Sequence, residues 1–82
     1  MNLVQIELLE QRININEDMG LTFGIQVTTE REDGQITSEL YPDISYSRRK
    51  VERFISMLIR NEVSPVHIDE MIDDYFYSAW GI

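Results

Sequence analysis

The chain has 82 residues, a 43% hydrophobic fraction and no cysteine. These figures make it one small globular domain, residues 1–82, too apolar for a disordered segment and without thiols for disulfides or thiolate metal sites. A net charge of −8 argues against direct binding to a phosphate backbone or to anionic lipid. No stretch approaches the ~20 apolar residues of a membrane span, and Met1 to Glu7 has neither a basic region nor a long apolar run, so no secretory leader is expected and a cytoplasmic location is.

Val4, Ile6 and Leu8 alternate with Gln5 and Glu7, the period-two pattern of a half-buried strand. Ile13 and Ile15 continue on the opposite parity, which predicts a bulge or break near Leu9. Asn14 to Gly20 reads as a turn. A second strand follows, in which Leu21, Phe23, Ile25 and Val27 alternate with Thr22, Gly24, Gln26 and Thr28. Gly24 falls on the outward parity, marking a bulge, a close backbone approach or simple tolerance. Asp33-Gly34 is a strong hairpin signal leading into a third strand, Gln35 to about Tyr41. A two-residue loop pairs Glu32 with Gln35, Val27 with Leu40, Thr29 with Ser38 and Phe23 with Ile44. Both strands then send their apolar side chains to one face. Pro42 falls opposite Ile25, which suits a strand end or an edge strand.

A first helix starts at Ser45 or Ser47, either of which can cap it, and carries the apolar stripe Val51, Phe54, Ile55 and Leu58. Arg49, Arg53, Ser56 and Arg60 line its opposite side. After the short link Asn61-Glu62-Val63, Ser64 and Pro65 open a second helix as cap and first residue. Ile68, Met71, Ile72, Tyr75, Phe76 and Ala79 form its buried stripe, and Gly81 follows its last turn. The expected fold is α+β: a three-stranded antiparallel meander followed by two helices packed on one face, β-β-β-α-α. Phe23, Val27, Leu40, Phe54, Leu58 and Ile72 are expected to share its core.

Charge is unevenly distributed. Residues 1–46 carry a net −7, residues 47–62 a net +3 from Arg48, Arg49, Lys50, Arg53 and Arg60 against two glutamates, and residues 63–82 a net −4. Asp69, Glu70, Asp73 and Asp74 lie on the polar side of the second helix, and Tyr77 and Trp80 follow them. Carboxylates with exposed tyrosine and tryptophan are the candidate protein-binding surface, beside the plainer reading of a solvated acidic face and an aromatic tail that caps the core. A single helix offers too few oxygens to cage a hard cation, so no metal is expected there. Asp69 and Glu70 also suit a helix N-terminus without any ligand. The basic row on the first helix lacks interleaved aromatics and reads as an exposed face or a protein contact. His67 is the only histidine. With no partner nucleophile marked, it reads as structural, bonding back toward Ser64 or packing under the strands.

Asp43-Ile44-Ser45, the Val51/Phe54/Leu58 helix, the strand motif Phe23-Gly24-Ile25, the helix start Ser64-Pro65-Val66-His67-Ile68 and the closing Ile72-Asp73-Asp74-Tyr75-Phe76 resemble a family of small bacterial proteins of unknown function, found mainly in Gram-positive anaerobes. The resemblance spans Phe23 to Phe76 and leaves out Tyr77 to Ile82. It implies a bacterial cytosolic domain and assigns no catalytic residue.

No nucleophile–base pair, glycine-rich phosphate loop or metal-ligand set is visible. The chain therefore reads as a non-enzymatic protein-interaction or regulatory module, with no catalytic residue, cofactor or metal. A protein partner is expected, and the open edge of the third strand offers a route to a homodimer. The alternative is an acidic nucleic-acid mimic, anti-CRISPR-like, that blocks a basic DNA- or RNA-binding groove. The acidic helix face and the turn residues Glu30, Glu32 and Asp33 would then imitate phosphates.

Overall fold

The computed structural model describes residues 3–15 and 18–77. Strands β1 (Leu3–Ile15), β2 (Asp18–Glu30) and β3 (Ile36–Ser45) form one antiparallel sheet in the order β1-β2-β3. Helix α1 (Arg48–Arg60) follows, then a helical run in three pieces: a 3-10 turn (Pro65–His67), helix α2 (Ile68–Ile72) and a π-helical turn (Asp73–Tyr77). This is the α+β, β-β-β-α-α arrangement expected from the sequence.

The β1–β2 ladder runs from Leu3–Glu30 to Ile15–Asp18 without a shift in register. The break expected near Leu9 is absent, and where a turn was expected from Asn14 to Gly20, β1 continues through Ile15 and β2 already runs from Asp18. Strict alternation therefore continues. Val4, Ile6 and Leu8 face the helices, while Leu9 and Ile13 lie on the other face of the sheet.

The second hairpin corrects the expected register. Arg31 and Gln35 bracket the loop: the Arg31 N–H donates to the Gln35 carbonyl at 2.8 Å, and the Gly34 N–H donates to the Arg31 carbonyl at 2.9 Å. Three residues turn the chain, with Gly34 left-handed at φ 87°. Asp33 is not left-handed, as a two-residue type I′ turn would require; a type I turn closed by a left-handed glycine uses the same Asp-Gly pair. Val27 consequently pairs with Glu39 and Gln26 with Leu40. That one-residue slip turns β3 over. Leu40 is 59% exposed and Ile36 65% exposed on the open face, so Leu40 does not join the core.

A bulge restores the apolar contribution of β3. Ile25 pairs with Tyr41 but Phe23 pairs with Ser45, so Pro42, Asp43 and Ile44 sit opposite Gly24 alone. Asp43 is left-handed at φ 56°. The Thr22 hydroxyl donates to its carboxylate and ties the bulge to β2. Ile44 thereby turns into the core. Gly24 is required by close approach, because a Cβ there would lie 2.1 Å from the Tyr41 carbonyl oxygen and 2.9 Å from the Pro42 Cα.

Ser47 caps α1, accepting from the Lys50 N–H at 3.2 Å, while the Ser45 hydroxyl accepts from the Ser47 N–H. Ser64 makes no side-chain cap; its carbonyl instead closes the 3-10 turn by accepting from the His67 N–H at 2.9 Å. The second helix is thus segmented rather than continuous. Its buried residues, Ile68, Ile72 and Phe76, recur every four positions and meet Val51, Phe54 and Leu58 of α1 over Phe23, Ile25, Val27 and Ile44. Tyr75 stays 38% exposed and is only a margin of this core. The expectations on Ala79 and Gly81 lie outside the described residues.

Because β3 stops opposite Phe23, the hairpin beyond it, Arg12 to Leu21, projects as a two-stranded arm. The described molecule is correspondingly long, 47 × 31 × 17 Å.

Candidate functional site

α1 repeats every 3.6 residues, which sets Arg49, Arg53, Ser56 and Arg60 on one outward face. These side chains, with Glu52, Met57 and Tyr75, line a surface groove of about 520 Å³. Tyr75 reaches it from the π turn because its ring leans on the buried Phe54, 5.1 Å between centroids.

The five cations of this region have different fates. Arg48 pairs with Glu52 at 3.1 Å. The Lys50 ammonium lies over the Phe76 ring, 5.2 Å from its centroid, a cation–π contact at the rim of the core. Arg49, Arg53 and Arg60 make no ion pair among the described residues. The first turn of α1 contains Arg48, Arg49 and Lys50 and no acidic residue. Cations at this positive end of the helix are unfavourable by roughly 0.3–1 kcal/mol each. The groove thus presents three exposed guanidinium groups, without ion pairs among the described residues, beside a thioether and a phenol ring. Among the described residues, Ser56 is its only aliphatic hydroxyl and no histidine lines it.

The carboxylates singled out from the sequence are not gathered into one row. Asp69 turns toward the sheet, where it lines a second groove of about 510 Å³ with Tyr41, Glu39 and Arg31. There the Tyr41 hydroxyl donates to Glu39 at 2.6 Å. Burial pushes the Tyr41 phenol above its ordinary range, the bond to Glu39 pushes it further, and the charge of Asp69 adds a smaller push. Glu70 stands 3.9 Å from His67 Nδ1. His67 is exposed rather than under the strands, and it bonds back to Ser64 through its backbone N–H, not its ring. Asp73 and Asp74 sit exposed on the π turn. Tyr77 donates to the Ile44 carbonyl at 3.3 Å, tying the helical run to the β3 bulge. Trp80 lies outside the described residues.

The arginine line was legible from helical spacing. The contribution of Tyr75 was not, since spacing alone assigned it to the buried stripe. Among the described residues no three His, Asp or Glu side chains converge to hold a metal ion, and no helix is long and apolar enough to cross a membrane.

A family model described as "Family of unknown function (DUF6514)" matches residues 3–78. The match takes in β1 and Tyr77, beyond both ends of the Phe23–Phe76 resemblance. No curated protein and no solved structure matches the chain.

Proposed function

We propose that this chain, which belongs to that family of unknown function, is a non-enzymatic protein-interaction module of the bacterial cytosol whose docking face is the arginine groove on α1. The carrying observation is the row of Arg49, Arg53 and Arg60, which make no ion pair among the described residues although the sequence holds fifteen acidic side chains. Arginine, tyrosine and methionine are the residue types enriched at protein interfaces, and Met57 and Tyr75 supply an apolar floor beside the charges. The fitting partner is an acidic segment carrying an apolar side chain. A long polyanion fits less well, because the net charge of −8 repels it over its length.

Mimicry of nucleic acid has weaker support. It calls for a row of carboxylates, and Asp69 faces away from Glu70 toward the sheet groove.

The test uses fluorescence anisotropy with a labelled acidic peptide containing one tryptophan, and with duplex DNA of equal charge. The native chain should bind the peptide and not the DNA. Arg49→Glu with Arg53→Glu should abolish peptide binding, mainly by slowing association. Glu70→Lys with Asp73→Lys should leave it intact or tighter. Both pairs are exposed, so stability should move by less than ~0.5 kcal/mol, verified by circular dichroism. A native chain that ignores the peptide but captures a purified basic DNA-binding protein through Glu70 and Asp73 replaces this reading with mimicry.

A further inference from the structure

We propose that β1 is the seam of a two-fold dimer, in which the strand pairs antiparallel with its own copy and joins two three-stranded sheets into one of six. The inference concerns a different surface from the arginine groove and stands independently of it.

The sheet has two edges of opposite character. The β3 edge is spoiled for pairing: Pro42 lacks an N–H, Asp43 is left-handed, and the bulge breaks the register. The β1 edge runs for thirteen residues with no proline, glycine or bulge, and its outer side is unpaired among the described residues. Such an edge is a template for another strand.

The charges identify that strand as a copy. Residues opposite one another in an antiparallel pair share a face, so a two-fold axis must pass beside a single residue of β1. Axes at Glu7, Glu10 or Arg12 oppose like charges. Axes at Leu8 or Leu9 leave both Glu10 and Arg12 facing no opposite charge. An axis at Gln11 sets Glu10 against the partner's Arg12 and Leu9 against the partner's Ile13, each twice by symmetry. Neither Glu10 nor Arg12 has an ion pair among the described residues, so both charges are available for that exchange.

The geometry accommodates the pairing. The axis stands perpendicular to the sheet, placing both helical layers on one side. Each layer crosses β1 near Val4 and Ile6, under Leu58 and Ile59. Ile6 is about 17 Å along the strand from the axis, so the layers stand apart. The projecting arm also gains a third and a fourth strand, which a two-stranded ribbon in water needs.

Sedimentation equilibrium of the full chain should show a dimer. Glu10→Arg alone and Arg12→Glu alone should each weaken it about tenfold, since each converts two facing attractions into repulsions. Mixing these two variants in equal amounts should restore a heterodimer, because every Glu then faces an Arg. In this cysteine-free chain, Gln11→Cys should form a covalent dimer on oxidation, whereas Leu9→Cys should not. A native chain that stays monomeric at all concentrations overturns the proposal. So do single reversals that leave association unchanged, or cysteine variants that cross-link equally.

Discussion

The β1–β2 hairpin has two halves with one continuous ladder and opposite support. Beneath the helices, Ile25 and Val27 are buried and their partners Leu8 and Ile6 pack against the same core. Beyond Phe23, the arm from Arg12 to Leu21 has no third strand, and none of its described side chains is buried; Leu21 is 43% exposed. The β1–β2 ladder alone does not distinguish the halves. Apolar burial does, and it sets where stability resides. The boundary between them is Gly24, where β3 crosses the ladder with its bulge.

The largest effect should come from the covered half. Phe54 is fully buried and touches both Tyr75 and Phe76. Phe54→Ala should cost about 3–5 kcal/mol, a large share of the ~5–15 kcal/mol available to a domain, and should lower the urea midpoint sharply. A modest midpoint shift would mean that the helices contribute little to the sheet. At the boundary, Gly24→Ala drives a Cβ into the backbone of Tyr41 and Pro42. It should cost about 1–3 kcal/mol and loosen the Thr22–Asp43 tie, seen as faster amide exchange at Ile44. Unchanged exchange there would show that the bulge slides without penalty. On the arm, Leu21→Ser should change stability by no more than about 0.5 kcal/mol. A loss comparable to that of Phe54→Ala would dissolve the distinction between the halves.

The architecture was legible because alternation in Leu21–Val27 and the 3.6-residue stripe in Val51–Leu58 each bury one face, and burial overrides local detail. The register of β3 was not legible. Asp33-Gly34 suits a two-residue and a three-residue loop alike, and the pattern of β3 fitted the shorter one through Leu40. The apparent fit failed because the bulge at Pro42–Ile44 supplies the core with Ile44 by a different route. Ile13 misled in the same way: its parity signalled a break, while the strand simply carries it on the open face. Among the candidate site residues, the arginine row followed from spacing along one helix. The dispersal of Asp69, Glu70 and Asp73 depended on the segmented run after Ser64, which no spacing rule for a single helix contains.

The contact at Gly24 constrains how this chain can diverge. A Cβ there would meet main-chain atoms of Tyr41 and Pro42 rather than their side chains, so replacing either residue cannot make room. Shortening β3, so that the strand no longer bulges across β2, would relieve the contact. Glycine at this position and the extra length of β3 are therefore coupled: an alanine that arises without a compensating deletion carries the backbone clash with it.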